Sequence, residues 1–150
     1  MRALLLLLFL YFFHYCPLQS QVYIESLKAS FERQSADSSR LAACDELLQE
    51  LINVDTSLAR KYLDEGKALA EKVKSEEYQL IFRLYTGILL SKRQQHEPAL
   101  NMIAAIQKDT KQNQLTEINA RSLFFLGRIR LKQHLYQEAL ALFRKSVDEF

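Results

Sequence analysis

The amino-acid sequence predicts an all-α protein, a right-handed α-solenoid in which antiparallel helix pairs are stacked. The 150 residues include three glycines and two prolines, too few for the closely spaced turns of a β-sandwich or barrel. Gly66, Gly87 and Gly127 lie far apart, so they form no glycine-rich phosphate-binding loop, and an α/β nucleotide-binding fold is not expected. After Gln21 the apolar residues recur at intervals of three and four, which is the spacing of amphipathic helices.

Residues 1–20 are predicted to be a secretory signal peptide. Arg2 supplies a positive charge, and the apolar run Ala3–Phe13 would span about 16 Å as a helix, roughly half of a bilayer's hydrocarbon core. Pro17 then ends the helix before the expected cleavage site. Two alternatives stay open, an uncleaved signal anchor and lipidation of Cys16. The expected location is therefore periplasmic or extracellular, with membrane contact only through this segment if it is not cleaved.

Seven helices are predicted downstream, each from an apolar stripe together with a residue suited to its start. They are marked, in chain order, by Ile24, Leu27 and Phe31 in the first, Ser38 starting the second, Asp55 capping Thr56–Lys74, Ser75 capping Glu76–Arg93, Pro98 opening the fifth, Thr116 capping the sixth and Tyr136 starting the seventh. Short polar turns join most of them. The segment Asp109–Leu115 is the stretch that is predicted to be an open loop.

Three sets of residues recur with a period of 40 residues. The sets are Leu47, Gly87 and Gly127, then Ala59, Ala99 and Ala139, then Leu63, Ile103 and Phe143. The second helix of each pair is thus expected to present a small-then-large stripe to the first. The glycine on the first helix is interpreted as a place where the two helices approach closely. The predicted units cover residues 40–79, 80–119 and 120–150, and the last unit is incomplete.

In this pattern the chain resembles the tetratricopeptide repeat family over about residues 40–150. The residues that match the family's motif best belong to the third unit and are Leu123, Leu126, Gly127, Tyr136, Ala139 and Phe143. The departure is the period, because the family's standard is about 34 residues, and the two-helix HEAT repeat is the second choice of fold. The extra residues are expected to lengthen the helices. The resemblance implies one helical repeat domain over residues 21–150 that binds a protein or peptide partner.

No arrangement of residues in the sequence predicts catalysis. His96 and His134 fall in the turns of successive repeats, where Glu97 and Glu138 are the candidates to complete a metal site. Solvated histidines are the commoner case in such turns, and no metal is predicted. Cys44 has no basic or histidine neighbour in the sequence, and a small buried side chain is expected there. The protein is therefore expected not to be an enzyme and to need no cofactor.

The functional surface is expected to be the concave groove formed by the first helix of each pair. Its candidate lining residues are Ile81, Leu84, Ile88, Arg121, Phe124 and Arg128. An apolar patch beside two arginines suits a peptide or helix that carries aromatic and acidic side chains. The alternative for the three aliphatic residues is that they pack against the preceding repeat.

Nucleic acid is not an expected partner of this segment, because the formal net charge is only +2. Arg128, Arg130 and Lys132 form a short basic run on the sixth helix. Side chains two residues apart point about 200° away from each other on a helix, so these three are not expected to form one patch.

The C-terminal end of the chain suggests a second functional class. Phe143, Val147 and Phe150 would form an apolar edge, where a solenoid needs a polar terminal unit. Either the natural protein is longer, or this edge meets a partner or a second copy, as in a structural assembly protein. The first case agrees with a further resemblance, since extended repeats behind a leader segment are similar to the sensory regions of bacterial signalling regulators. In those proteins a histidine kinase or a DNA-binding domain follows.

Overall fold

The computed structural model describes residues 21–149, and within this range the chain is helical apart from short turns. The helices are α1 (21–33), α2 (Asp37–Val54), α3 (Thr56–Lys72), α4 (Glu76–Lys92), α5 (His96–Gln112), α6 (Thr116–Lys132) and α7 (Tyr136–Asp148). The predicted signal peptide and Phe150 lie outside the described residues. A search of the described helices finds none with the length and hydrophobicity needed to traverse a bilayer.

Successive helices pack side by side as antiparallel pairs, which confirms the predicted all-α solenoid. Each helix from α2 to α6 contacts the next one in the chain. In addition, α2 contacts α4, and α4 contacts α6. The corresponding contacts between α3 and α5 and between α5 and α7 are absent within residues 21–149, since no Cα atoms of these pairs lie within 8 Å of each other. The layer of α2, α4 and α6 is therefore on the inside of the curve and lines the concave face.

The helices from α3 onward begin at a constant interval. Their first residues are numbers 56, 76, 96, 116 and 136, and each of α3 to α6 has 17 residues. The 40-residue period of the sequence is therefore two helices and two turns of three residues. The period is therefore filled by helices and short turns, with no longer loop from α3 to α7.

Each of the four three-residue turns from α3 onward contains one residue other than glycine in the left-handed conformation. These residues, with φ between 55° and 65°, are Lys74, Gln94, Gln114 and His134. After Gln94, the backbone N–H of Gln95 donates to the carbonyl oxygen of Leu90 at 3.0 Å, as in a Schellman motif. Backbone hydrogen bonds of this kind close the turns, so the chain forms them without glycine or proline.

The prediction of an open loop over residues 109–115 is wrong. Helix α5 continues through Gln112, and residues 113–115 form a turn like the others, in which the N–H of Leu115 donates to the carbonyl oxygen of Thr110 at 2.9 Å. Lys111 and Gln112 are exposed at the end of the helix. The polar composition of this stretch therefore reflects its exposure to solvent and not a lack of helix.

The predicted N-terminal caps are confirmed for α3 and α4 and are wrong for α6. Asp55 Oδ1 accepts two backbone N–H groups at the start of α3, and Ser75 Oγ accepts one at the start of α4. Thr116 is instead the first residue of α6, and Leu115 before it makes no side-chain cap. Helix α6 consequently begins without the hydrogen bond that a polar cap would supply.

Replacement of Gln94 by glycine is expected to raise the free energy of unfolding by about 0.5 to 1 kcal/mol, because glycine adopts a positive φ without the steric cost that glutamine has there. The control is Gln95→Gly, one residue further on, where φ is −86° and glycine only adds freedom to the unfolded chain. Urea denaturation followed by circular dichroism measures both. Equal effects of the two variants would contradict the prediction.

The nine residues of the repeat pattern lie where consecutive helices meet. All are buried except Phe143, which is partly exposed. At Gly87 the helices are close but glycine is not required, because a Cβ atom there would make ordinary contacts, 3.5 Å from Ile103 and 3.8 Å from the carbonyl oxygen of Ala99. At Gly127 the predicted close approach agrees with the structure, since a Cβ atom would lie 2.7 Å from the ring of Phe143.

A third glycine, outside the repeat pattern, is tightly enclosed by two buried side chains. A Cβ atom on Gly66 in α3 would lie 2.8 Å from Cys44 Sγ and 2.9 Å from Phe82 Cζ. Cys44 and Phe82 are completely buried. Glycine is therefore required at this position by the packing of α3 between α2 and α4.

Candidate functional site

A cleft of about 450 Å³ opens on the concave face. Its walls come from α2, α4, α6 and α7, and its side chains include Tyr85, Arg121, Phe124, Phe125, Arg128 and Phe143. The inner layer of helices thus supplies most of the lining, and α7 closes one side. A cleft of this volume has room for a few side chains of a bound peptide.

Three phenylalanines form the apolar part of the cleft. The ring centre of Phe124 lies 5.7 Å from that of Phe125 and 5.5 Å from that of Phe143, so Phe124 is the middle member. Phe124 is nevertheless 44% exposed. The cluster therefore presents an aromatic surface to whatever enters the cleft.

The polar wall of the cleft includes Tyr85 of α4 and Arg121 of α6, and Asp45 of α2 behind them completes a hydrogen-bonded triad. Arg121 Nη1 donates to Asp45 Oδ2 at 3.0 Å, and Arg121 Nη2 donates to Asp45 Oδ1 at 2.8 Å. Tyr85 Oη donates to Asp45 Oδ1 at 2.6 Å and accepts from Arg121 Nη2 at 3.0 Å. The Asp45 and Arg121 side chains are each 15% exposed. The pair is thus bidentate and largely shielded from water.

The protonation states of the triad agree with these hydrogen bonds. Burial, together with the neighbouring Asp45 carboxylate, raises the pKa of Tyr85, so its hydroxyl remains a donor. Burial by itself would lower the pKa of Arg121, but the hydrogen bond to Asp45 and the surrounding charges raise it overall. Arg121 is therefore a charged member of an internal ion pair.

The structure divides the groove residues expected from the sequence into two groups. Ile81, Leu84 and Ile88 are buried in the core between the helices, which corresponds to the packing alternative. Arg121, Phe124 and Arg128 line the cleft. The guanidinium of Arg121 is held by Asp45, whereas within residues 21–149 Arg128 makes no ion pair.

Arg128 lies beside the aromatic cluster. Its Cζ atom is 5.6 Å from the ring centre of Phe125, and within residues 21–149 it makes no ion pair. The same two residues also line a second, smaller pocket, together with Lys92 at the end of α4 and Lys132 at the end of α6. These three residues, Lys92, Arg128 and Lys132, form the basic cluster.

The three basic residues of the α6 run do not form one patch, as expected, but two of them share a face with a lysine of α4. Arg128 and Lys132 are four residues apart, so they share one face of the helix, and Lys92 from α4 joins them there. Arg130 points elsewhere, with Nε at 3.2 Å from Glu138 Oε2. Burial, together with the charges of Lys132 and Arg128, lowers the pKa of Lys92. The positive charges of the cluster therefore act on one another.

The sequence reasoning did not identify Asp45, Tyr85, Lys92 and Phe125 as parts of the site. One signal was present, since Asp45 and Tyr85 are separated by 40 residues, which is one period. Phe125 is the next member of this series, and Arg121 precedes it by one helical turn. This spacing links Asp45 to Tyr85, but it does not indicate Arg121, which occupies a different position in the repeat.

Cys44, His96 and His134, the side chains most suited to catalysis or metal binding, are not grouped into a reactive site within residues 21–149. Burial raises the pKa of the Cys44 thiol to about 12, so the thiol stays protonated at neutral pH. The ring of His96 is paired with Gln94, and that of His134 with Tyr136. Within residues 21–149 no three His, Cys, Asp or Glu side chains are grouped so as to hold a metal. What the cleft presents is aromatic surface and positive charge.

Comparison with protein-family models, with curated proteins and with solved structures finds no match to this chain.

Proposed function

We propose that this chain is an exported, non-enzymatic helical-repeat module of the tetratricopeptide type, which binds a segment of another protein in its concave cleft. The observation that carries the proposal is the 44% exposure of Phe124 at the centre of the aromatic cluster. Removing apolar surface from water contributes about 25 cal/mol per Å², so a side chain that covers these rings gains affinity. A concave aromatic surface of this kind is typical of a binding site.

The shape of the cleft supports a peptide segment as the ligand. The cleft runs along the inner helix layer, and the concave surface is the one that solenoids use for extended ligands. The triad satisfies its own polar groups, so it forms a rigid wall, and Arg128 beside Phe125 adds a cation at the rim. In this proposal the module is the sensory part of a longer signalling regulator, and it needs no cofactor and contacts no nucleic acid.

Phe124→Ala is expected to weaken binding of a cleft-bound peptide at least tenfold, because central aromatic residues contribute about 2 kcal/mol or more to interfaces. The probe is a peptide selected on the purified protein from a random phage-displayed library, and fluorescence anisotropy of the labelled peptide gives its Kd. The control is Leu131→Ala, since Leu131 is also exposed on α6 but lies outside the cleft. The proposal is abandoned if no peptide is selected, or if Phe124→Ala and Leu131→Ala bind alike.

Self-association as a structural assembly protein is the second candidate, and the exposed apolar residues of α7 favour it. Tyr136, Leu140 and Val147 are exposed on this helix. Leu140 is one period after Leu100, which packs against the core. Phe143 and Val147 of the expected apolar edge line the cleft, so Tyr136 and Leu140 are the residues that favour association away from it, and Phe150 lies outside the described residues. Sedimentation velocity at increasing concentration tests this candidate, and a monomer throughout would reject it.

A further inference from the structure

We propose that the basic cluster binds acidic side chains of the same partner segment, so that the partner combines an aromatic or apolar anchor with aspartate or glutamate. This inference rests on the proposed function, because the anchor is the part of the segment that enters the aromatic cleft. The two sites are continuous, since Phe125 and Arg128 line both the cleft and the pocket of the basic cluster. One short segment therefore reaches both.

The convergence of three cations is the first argument. Lys92 and Lys132 are the last residues of α4 and α6, where the helix dipole favours a positive charge. The dipole does not explain why both lysines line the same pocket as Arg128, which lies four residues before Lys132. No aspartate or glutamate lines this pocket. Within the described residues none of the three makes an ion pair. The repulsion among them is relieved when an anion binds.

A neighbouring pocket extends the positive surface beyond Lys92. Arg60 of α3 and Arg93 after α4 line it with Lys92, and neither arginine makes an ion pair within residues 21–149. The edge of the solenoid next to the cleft thus carries a row of unpaired cations. The formal net charge of the chain is only +2, so this row is a local feature and not a general excess of base.

Carboxylates of a peptide fit the cluster better than the phosphates of a nucleic acid. The cluster has three cations, and the neighbouring pocket adds Arg60 and Arg93. Nucleic-acid binding commonly uses a longer track of cations, with about six to ten phosphate contacts. The adjoining surface is instead an aromatic cleft with room for a few side chains.

The test uses the peptides selected on the wild-type protein in the library experiment above. The expected result is that they combine an aromatic or large apolar residue with at least one nearby Asp or Glu. A second form of the tightest peptide, with every Asp and Glu replaced by Asn and Gln, is expected to bind about tenfold more weakly, since it loses its charge pairs with the basic cluster. This difference is expected to shrink as salt is raised.

The variant K92Q/K132Q is expected to remove most of the difference between the acidic and neutral peptides, while leaving the affinity for the neutral form unchanged. The matched control is Lys111→Gln, another exposed lysine in the last turn of a helix, at the opposite edge of the solenoid. Lys111→Gln removes one positive charge, as each of the two substitutions in K92Q/K132Q does. Circular dichroism confirms that each variant is folded.

Three results would overturn the inference while the proposed function stands. The first is that the selected peptides contain no acidic residue but still require Phe124 for binding. The second is that the acidic and neutral peptides bind the wild-type protein with equal affinity. The third is that K92Q/K132Q shows the same difference in affinity between the two peptides as the wild type. A short oligothymidylate that displaces the acidic peptide at equal charge would assign the cluster to nucleic acid. Failure to select any peptide overturns the inference together with the proposed function.

Discussion

Replacement of Arg121 by alanine is expected to lower the free energy of unfolding by about 3 kcal/mol, because it leaves the shielded carboxylate of Asp45 without its partner. The ion pair is bidentate, and both side chains are only 15% exposed, so water cannot replace the lost guanidinium fully. Tyr85 remains as one donor to Asp45, which keeps the loss at the lower end for a buried pair. Urea denaturation of the wild type and the variant measures the change.

The control for this prediction is Arg83→Ala. Arg83 pairs with Asp109 at the same distance, 3.0 Å, but the two side chains are 43% and 38% exposed. The loss there is expected to be below about 1 kcal/mol. Equal losses in Arg83→Ala and Arg121→Ala would show that shielding of the triad has no energetic consequence.

A double variant separates the ion pair from the packing around it. Asp45→Leu combined with Arg121→Met removes both charges, and it is expected to be more stable than Arg121→Ala, because no buried charge is left. Tyr85 Oη keeps the backbone carbonyl oxygen of residue 45 as an acceptor at 3.3 Å. If the double variant is less stable than Arg121→Ala, the cost in the single variant comes from lost contacts and not from the charge.

Gly66→Ala is expected to lower the free energy of unfolding by about 2 kcal/mol. The added methyl group would lie 2.8 Å from Cys44 Sγ and 2.9 Å from Phe82 Cζ, and neither side chain has space to withdraw because both are completely buried. The better helix propensity of alanine, about 1 kcal/mol, offsets only part of this cost. Thermal and urea unfolding measure the change.

Gly87→Ala is the matched control, with an expected change of opposite sign. A Cβ atom at Gly87 would make ordinary contacts, the nearest at 3.5 Å, so the variant is expected to gain the helix propensity of alanine, about 1 kcal/mol. Both substitutions replace a glycine in the middle of a helix by the same residue. Destabilisation of both to the same extent would contradict the packing described for Gly66.

The helices and their period could be predicted from the sequence because the signal is local. An apolar stripe and a recurring alanine record the contact between neighbouring helices, so Ala59, Ala99 and Ala139 indicate the repeat directly. The turn at 113–115 escaped prediction because its hydrogen bonds are made by the backbone and its left-handed residue is Gln114. The stretch before it carries the polar side chains of an exposed helix end.

The site could be predicted only in part because its contacts are distant in sequence. Phe124 and Arg128 were expected in the groove from their places on α6, and both line the cleft. Asp45 is separated from Arg121 by 76 residues, and the two occupy different positions within the repeat. Their pairing depends on the curvature of the whole stack, which no local pattern records.

The triad has a mechanical consequence for the solenoid. A stack in which each unit touches only its neighbours bends easily, since a small change at every junction adds up along the chain. The bond between Asp45 in the first unit and Arg121 in the third spans the inner side of the arc, with Tyr85 of the middle unit bonded to both. Opening the arc would break this bond. The width of the cleft is therefore held before a ligand arrives, and the ligand does not have to supply the free energy of shaping it.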